Sequence, residues 1–452
     1  MTDLARPTPD PGTDRARPTP DPGRPALLTD HYELTMLAAA LRNGTADRHC
    51  VFEVFTRRLP PGRRYGMVAG TGRLIEAISA FRFDGDQLDY LVRTGVVDTD
   101  TARWLANYRF RGDIDGYAEG EIYFPGSPIL TVSGSFADCV VLETLVLSVL
   151  NYDSAVAAAA ARMVTAARGR RLIEMGSRRT NEQAAVAAAR AAYIAGFSAT
   201  SNLEAGRRYG IPTAGTAAHA FTLLHDDEPA AFAAQVATLG RQTTLLVDTY
   251  DISQGIRNAI AVAGPGLGAI RLDSGDLSVL AAQARRLLDE LGAPETRIVV
   301  SGDLDEYAIA ALAAEPVDAY GAGTAVVTGS GAPTAGLVYK LVEVDGKPVA
   351  KRSEHKTTIG GRKTAVRRHK PSGTAIEEIV VSQGTPPPQP HDRLLQRPFL
   401  RGGEPVDDLP TLEQSREHAR ACLISIPWEG LKLSAGEPAL TVHMRPPSDS
   451  AV

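Results

Sequence analysis

The residues Gly215-Thr216-Ala217-Ala218-His219 set an imidazole behind four small side chains, which leaves room around the ring for a bulky anion. An isolated histidine is more often packed or solvated than catalytic. What changes the reading is Asp248-Thr249-Tyr250-Asp251 on the next strand-like segment, because a carboxylate fixes the tautomer of a nucleophilic imidazole and supports its positive charge. Ile270-Arg271-Leu272-Asp273-Ser274-Gly275-Asp276 then brings a cation, two carboxylates and a hydroxyl to one strand end. A guanidinium suits a planar carboxylate ligand, whereas Asp273 suits sugar hydroxyls or a hydrated magnesium ion. An aspartate-capped helix accounts for Ser274 or Asp276 but leaves Arg271 unexplained. Gly321-Ala322-Gly323-Thr324 has the make-up of a phosphate cradle, in which backbone N–H groups at a helix start face the anion, although a tight turn needs the same glycines.

These groups need a frame that presents them together. Buried-strand runs centre near Leu246, Ile270, Val299 and Tyr320, at intervals of roughly 25 residues with helical patterns between them, which predicts successive βα units and a parallel sheet. Each run ends in polar residues or glycine: Asp248, Arg271 with Asp273, Asp303, and Gly321 with Gly323. Earlier segments do the same, with Glu174 and Arg178, Ser201 and Asn202, and His219. In a barrel of parallel strands the working groups sit where strands run into the following loops, so the repetition predicts one shared site on an α/β barrel rather than an open doubly wound sheet. Ala-rich helices are expected over 155–168 and 183–195, a small antiparallel β unit over 111–141, and a first helix from Tyr32 to Leu41 capped by Thr29 or Asp30. From Leu337 to about Val380 β-like text returns with a basic stretch, Lys351 to Arg368, which is either a solvated face or the charge supply of a site that handles phosphates. GTPPPQPHD at 384–392 reads as a linker or exposed loop, and a Pro-rich octad repeated within residues 1–25 reads as a disordered tail.

Composition narrows the function classes. The 452 residues are 44% hydrophobic and 22% charged, as expected of a globular protein of two or three units, and the net charge of −5 provides no global field for nucleic acid. Three cysteines, Cys50, Cys139 and Cys422, are too few and too scattered for a disulfide framework, and no apolar run approaches the roughly 18 residues that span a bilayer. A cytoplasmic protein without a membrane partner is expected. No lysine falls at a predicted strand end, which disfavours Schiff-base chemistry of the aldolase kind.

The motifs together resemble the nicotinate phosphoribosyltransferase family. The matching text is LLTDHYELTM at 27–36, FEVFTRRLP at 52–60, GSRRT at 176–180, GFSATSN at 196–202, GTAAHA at 215–220, LLVDTYD at 245–251, IRLDSGDL at 270–277, SGDLDE at 301–306, GAGT at 321–324 and KRSEHKTTIGGRK at 351–363. The resemblance implies an irregular parallel α/β barrel of the type II phosphoribosyltransferase kind, over about 146–335. It also implies a smaller α+β domain made from both chain ends, 26–145 and 336–445, with 446–452 as a frayed tail. The implied assembly is a homodimer with shared sites. The implied reaction converts nicotinate and phosphoribosyl pyrophosphate to nicotinate mononucleotide and pyrophosphate, as the first step of NAD synthesis from nicotinate. ATP is the cosubstrate, hydrolysed through a phosphohistidine, and magnesium the cofactor.

Carried over residue by residue, His219 matches the phosphorylated histidine, Asp248 the acid that orients it, Arg271 the partner of the pyridine carboxyl and Tyr32 the aromatic contributed by the other subunit. Arg178 is similar to a phosphate or ring contact, Asp273 and Asp303 to ribose and magnesium-side groups, Gly323 and Thr324 to the 5′-phosphate cradle, and Arg57, Lys351 and Lys363 to partners of the pyrophosphate or ATP phosphates. Met175 stands where relatives commonly place an aromatic beneath the pyridine. Ser201 stands where nicotinamide-specific relatives carry an aspartate, and its neutral hydroxyl favours the acid substrate. A nicotinamide-using enzyme of the same fold and a non-catalytic ligand-binding relative are the alternatives.

Overall fold

The computed structural model describes residues 25–351 and 359–445. Of the tail expected over 1–25, residues 1–24 lie outside the described residues, as do 446–452 and Arg352, His355 and Lys356 of the basic stretch, while Pro25 already belongs to the short 3-10 helix Pro25–Leu27. Six strands, Arg171–Glu174, Ala199–Thr200, Thr244–Leu246, Ala269–Leu272, Arg297–Val300 and Ala319–Ala322, form one sheet in which every pairing is parallel. The strand ending at Glu174 lies between those ending at Thr200 and Ala322, and the sheet then runs through Arg297–Val300 and Ala269–Leu272 to Thr244–Leu246. A single bridge, Thr200 to Thr213, extends its Ala199–Thr200 edge. The sheet is therefore an incompletely closed, irregular barrel.

Several helices of this unit begin at aspartates. Asp227, Asp251, Asp276 and Asp305 each accept a backbone N–H from the first turn of the following helix, and Asn181 and Asn202 do the same for two others. Asp276 is thus a cap, as the structural reading of that motif allowed. At the first helix, His31–Asn43, Asp30 occupies the cap position without a side-chain cap bond, and the Thr29 hydroxyl donates instead to the buried Glu33 carboxylate.

The second unit draws on both chain ends. Its seven-stranded sheet runs in the order Lys347–Pro348, Leu337–Val344, His49–Thr56, Leu130–Ser135, Asp113–Tyr117, Gln396–Arg401, Glu404–Pro405, all antiparallel. The β unit expected over 111–141 is therefore the middle of a larger sheet, since its edges are covered by strands from remote sequence. A four-stranded sheet adds Lys363–His369, Ala375–Ser382 and Asp392–Leu394, and Thr441–Arg445, the last described residues, pairs parallel with Ala375–Ser382.

Between the two units runs the helix Glu143–Ala167. It packs on Glu182–Ala195 and Glu306–Ala311 on the barrel side and on Thr71–Ala80 and Leu337–Val344 on the other. Among the described residues, Phe136–Ala167 is the one helical stretch long and apolar enough to cross a membrane by length and composition, which corrects the expectation that no run approaches that length. The run is broken by only a few charges, two of which are committed to protein partners: Asp153 Oδ1 meets Arg73 at 2.6 Å and Arg162 Nε meets Glu306 at 2.9 Å, all but Arg73 buried.

Candidate active site

The C-terminal ends of the parallel strands bring most of the predicted residues onto one surface. His219 opens the short helix His219–Leu223 after the GTAA loop, and its Nδ1 lies 3.1 Å from the Thr249 hydroxyl. The carboxylate next to Thr249 is not the histidine's partner. Asp248 Oδ2 accepts the Asp273 N–H at 2.9 Å and the Ser274 hydroxyl at 2.8 Å, and Oδ1 is buried with no hydrogen-bond partner. The expected Asp248–His219 pair is thereby corrected. Adjacent residues on an extended segment point to opposite sides, so Thr249 takes the histidine while Asp248 turns toward the neighbouring strand.

Arg271 donates from Nη1 to the Thr216 hydroxyl at 3.1 Å, which ties the guanidinium to the loop that carries His219, and its Nε is buried without an acceptor. Asp273 is held in turn by the Ser301 hydroxyl at Oδ1. The loop beyond Ser301 presses against it so closely that a Cβ on Gly302 would stand 2.3 Å from the Asp273 carbonyl oxygen, and Gly302 has φ +99°. Asp303 follows with φ 44°, a left-handed conformation that a non-glycine residue rarely adopts, and its side chain is exposed.

On the far strands, Glu174 accepts the Gly176 N–H at Oε1 and the Thr200 hydroxyl at Oε2, the latter at 2.5 Å, and burial pushes its carboxyl above the usual range. Ser201 donates its backbone N–H to the Glu174 carbonyl at 2.8 Å and is half-buried, while Arg178 is exposed on the turn after Gly176. Gly323 lies against this turn: a Cβ there would be 3.1 Å from the Met175 carbonyl oxygen. Gly323 and Thr324 begin the one-turn helix Thr324–Val327, as a cradle at a helix start requires.

Four predicted residues stand apart from these strand ends. Tyr32 lies on the first helix, 45% exposed, with its phenol raised by partial burial and by a hydrogen bond to Glu143. Arg57 is exposed just after the strand His49–Thr56, and Lys351 is exposed at the edge of the described residues. Lys363 is a correction. Its Nζ is buried 2.6 Å from Glu53 Oε2 and also donates to the Gly361 carbonyl, so that ammonium joins two strands of the second unit and its charge is neutralised there rather than presented to a phosphate. The basic text gave no sign of this, because the neutralising Glu53 is remote in sequence. Thr216, Thr249 and Ser301 were not singled out; for Thr249 the available signal was a hydroxyl beside the charged residue of the strand end, the pattern that Ser274 repeats next to Asp273.

An incompletely closed parallel barrel with a basic and acidic strand-end surface, joined to a unit made from both termini, defines a phosphoribosyltransferase of the type II class. Residues 27–151 match the model of the nicotinate phosphoribosyltransferase (NAPRTase) N-terminal domain, and residues 156–330 match that of the quinolinate phosphoribosyl transferase C-terminal domain. The chain is 63% identical over 430 residues to nicotinate phosphoribosyltransferase pncB1 of Mycobacterium tuberculosis, covering 93% of this chain and 95% of that one. It is 38% identical to the nicotinate phosphoribosyltransferase of Bacillus subtilis, over 76% of this chain and 73% of that one. Human nicotinic acid phosphoribosyltransferase superposes with a TM-score of 0.81 at 27% identity, over 92% of this chain and 97% of that one. The chain belongs to the nicotinate phosphoribosyltransferase family.

Proposed function

We propose that this chain joins nicotinate to phosphoribosyl pyrophosphate, forming nicotinate mononucleotide and pyrophosphate as the first step of NAD synthesis from nicotinate, and couples that transfer to ATP hydrolysis through a phosphorylated His219. The observation that carries the reading is the Arg271–Thr216 bond, which links a guanidinium with a free buried Nε to the loop that begins the His219 helix. Arg271 pairs with the pyridine carboxylate, and Ser201 offers no anionic acceptor to an amide. With Nδ1–H donating to Thr249, the lone pair on Nε2 attacks the γ-phosphorus of ATP and ADP leaves. Gly323 and Thr324 take the 5′-phosphate, and Arg57, Arg178 and Lys351 the remaining phosphate charge.

Asp273 and the exposed Asp303 supply carboxylate oxygens of the kind a hydrated magnesium ion takes, and the unpartnered Oδ1 of Asp248, whose other oxygen accepts the Asp273 N–H, adds a further donor on the same side of the site. Bound there, magnesium would neutralise charge on the pyrophosphate leaving group. Tyr32, exposed on the second unit, fits a role across a homodimer interface, stacking on the pyridine bound by the partner. Product formation from labelled nicotinate and phosphoribosyl pyrophosphate, with and without ATP and with nicotinamide as competitor, tests the reading. Equal turnover of nicotinate and nicotinamide overturns it.

A further inference from the structure

Among the described residues, most buried carboxylates face a cation: Glu53 meets Lys363, Glu119 meets Arg190, Glu121 and Glu378 meet Arg367, Asp153 meets Arg73, and Glu306 meets Arg63 and Arg162. Glu174, like Glu33, Glu228 and Asp248, meets none. It is 1% exposed, and the groups that bond its carboxyl are the Gly176 amide and the Thr200 hydroxyl; the titratable neighbour on the helix packed against it is the neutral phenol of Tyr152. A carboxyl buried without a cation costs stability, so its position calls for a reason other than an ion pair.

The bonds around it supply one. Thr200 passes the link on, its Oγ1 accepting the Asn202 N–H at 3.0 Å, and the Asn202 amide nitrogen donates to the Ser177 hydroxyl at 3.0 Å, which closes a ring between the two loops. The backbone reinforces it, with Ser201 N–H on the Glu174 carbonyl and Met175 N–H on the Ala322 carbonyl, both 2.8 Å. Met175 has little freedom: its sulfur lies where a Cβ on Gly321 would come within 2.7 Å. One carboxyl group thus bonds the loop bearing Met175 and Arg178 and, through Thr200, the loop bearing Ser201.

We propose that Glu174 is a positioning residue for the pyridine pocket, clamping the Met175–Arg178 and Ser201–Asn202 loops at the spacing that selects nicotinate. This inference rests on the reading of nicotinate as substrate. A neutral amide can make the same two bonds, its oxygen accepting from Gly176 and its nitrogen donating to Thr200, whereas alanine makes neither.

Steady-state kinetics of the full chain with each substrate varied test it. Glu174→Ala is expected to raise KM for nicotinate about tenfold or more, to move KM for phosphoribosyl pyrophosphate by less than about threefold and to narrow the preference over nicotinamide, while Glu174→Gln recovers most of the loss. If Glu174→Ala does not fold, Thr200→Val removes one prong and is expected to raise KM for nicotinate selectively. The inference is overturned if the nicotinate KM is unmoved, if both KM values rise together, or if the glutamine variant is as impaired as the alanine. Wild-type protein that uses only nicotinamide overturns the substrate reading itself; wild-type protein that uses nicotinate beside an unaffected Glu174→Ala overturns the clamp alone.

Discussion

In the second unit, Arg367 is fully buried and divides its terminal nitrogens between Glu121, at 2.5 Å, and Glu378, at 2.6 Å, while Arg393 and His418 close around the other oxygen of Glu121. At the strand ends of the barrel the same residue types are left half-used: Arg271 has one hydroxyl partner, Asp248 has a bare buried oxygen, and Arg178 is exposed. Nε lacks an acceptor in both Arg367 and Arg271, so the contrast lies in the carboxylates and terminal nitrogens. Where those are spent on each other they hold strands together; where they are not, they remain available to a substrate. Glu121, His418 and Cys422 illustrate the first case. Their ligand atoms cluster as a metal site would, but Glu121 is already committed to two guanidinium groups, and burial pushes the Cys422 thiol up to about 12, far from the thiolate a metal needs.

The largest effect that would sharpen this contrast is expected at His219. Incubation with γ-labelled ATP and magnesium should give an acid-labile, base-stable phosphoprotein, and His219→Asn should remove the label and ATP hydrolysis completely; label retained elsewhere together with ATP-stimulated synthesis would return His219 to a packing role. Arg367→Ala comes next. It leaves the buried Glu378 without a cation, while Glu121 keeps Arg393 and His418, and should cost about 3–5 kcal/mol in urea unfolding, with the nicotinate KM of the folded fraction unchanged. Arg271→Ala should invert that pattern, lowering the preference for nicotinate over nicotinamide at least about tenfold, equivalent to about 1.4 kcal/mol, with the urea midpoint nearly unmoved. A large stability loss there would erase the distinction between the two regions.

The smallest effect concerns an exposed pair. Asp98 caps the helix Thr99–Ala106 and meets Arg42, and the Thr101 hydroxyl and amide together with Arg42 hold its carboxyl down to about 2. A depressed carboxyl adds stability that is present above its ordinary value of 3.8 and lost as pH falls toward 2. Asp98→Ala should therefore lower the melting temperature slightly at neutral pH and by less as pH falls through 2; a difference that stays constant with pH would show that packing rather than charge is responsible.

The parallel sheet was legible because each strand is a short apolar run closed by a polar residue, a local pattern that needs no knowledge of the rest of the chain. Arg271, Asp273, Gly323 and Ser201 were readable in the same way. Partnership was not. Thr249 rather than Asp248 meets His219 because neighbouring side chains on an extended segment diverge, and the choice between them depends on where the next strand lies. Lys363 belongs to Glu53 across some three hundred residues, a pairing no local window contains. The helix expected over 155–168 is the second half of Glu143–Ala167, and its full length went unread for a related reason, since its alanines become a core only between two units.

The pairing of His49–Thr56 with Leu337–Val344 places Thr56 opposite Leu337, roughly 280 residues further along the chain. During synthesis, one edge of the N-terminal strand therefore stays unsatisfied until the entire barrel has left the ribosome. Asp113–Tyr117 waits longer still, for Gln396–Arg401. Such non-local closure is slow, and an open strand edge is a template for other chains in the meantime. The barrel can assemble first and deliver the late strands to the waiting edge, which makes its folding a prerequisite for the second unit and exposes nascent chains stalled beyond residue 330 to aggregation through that edge.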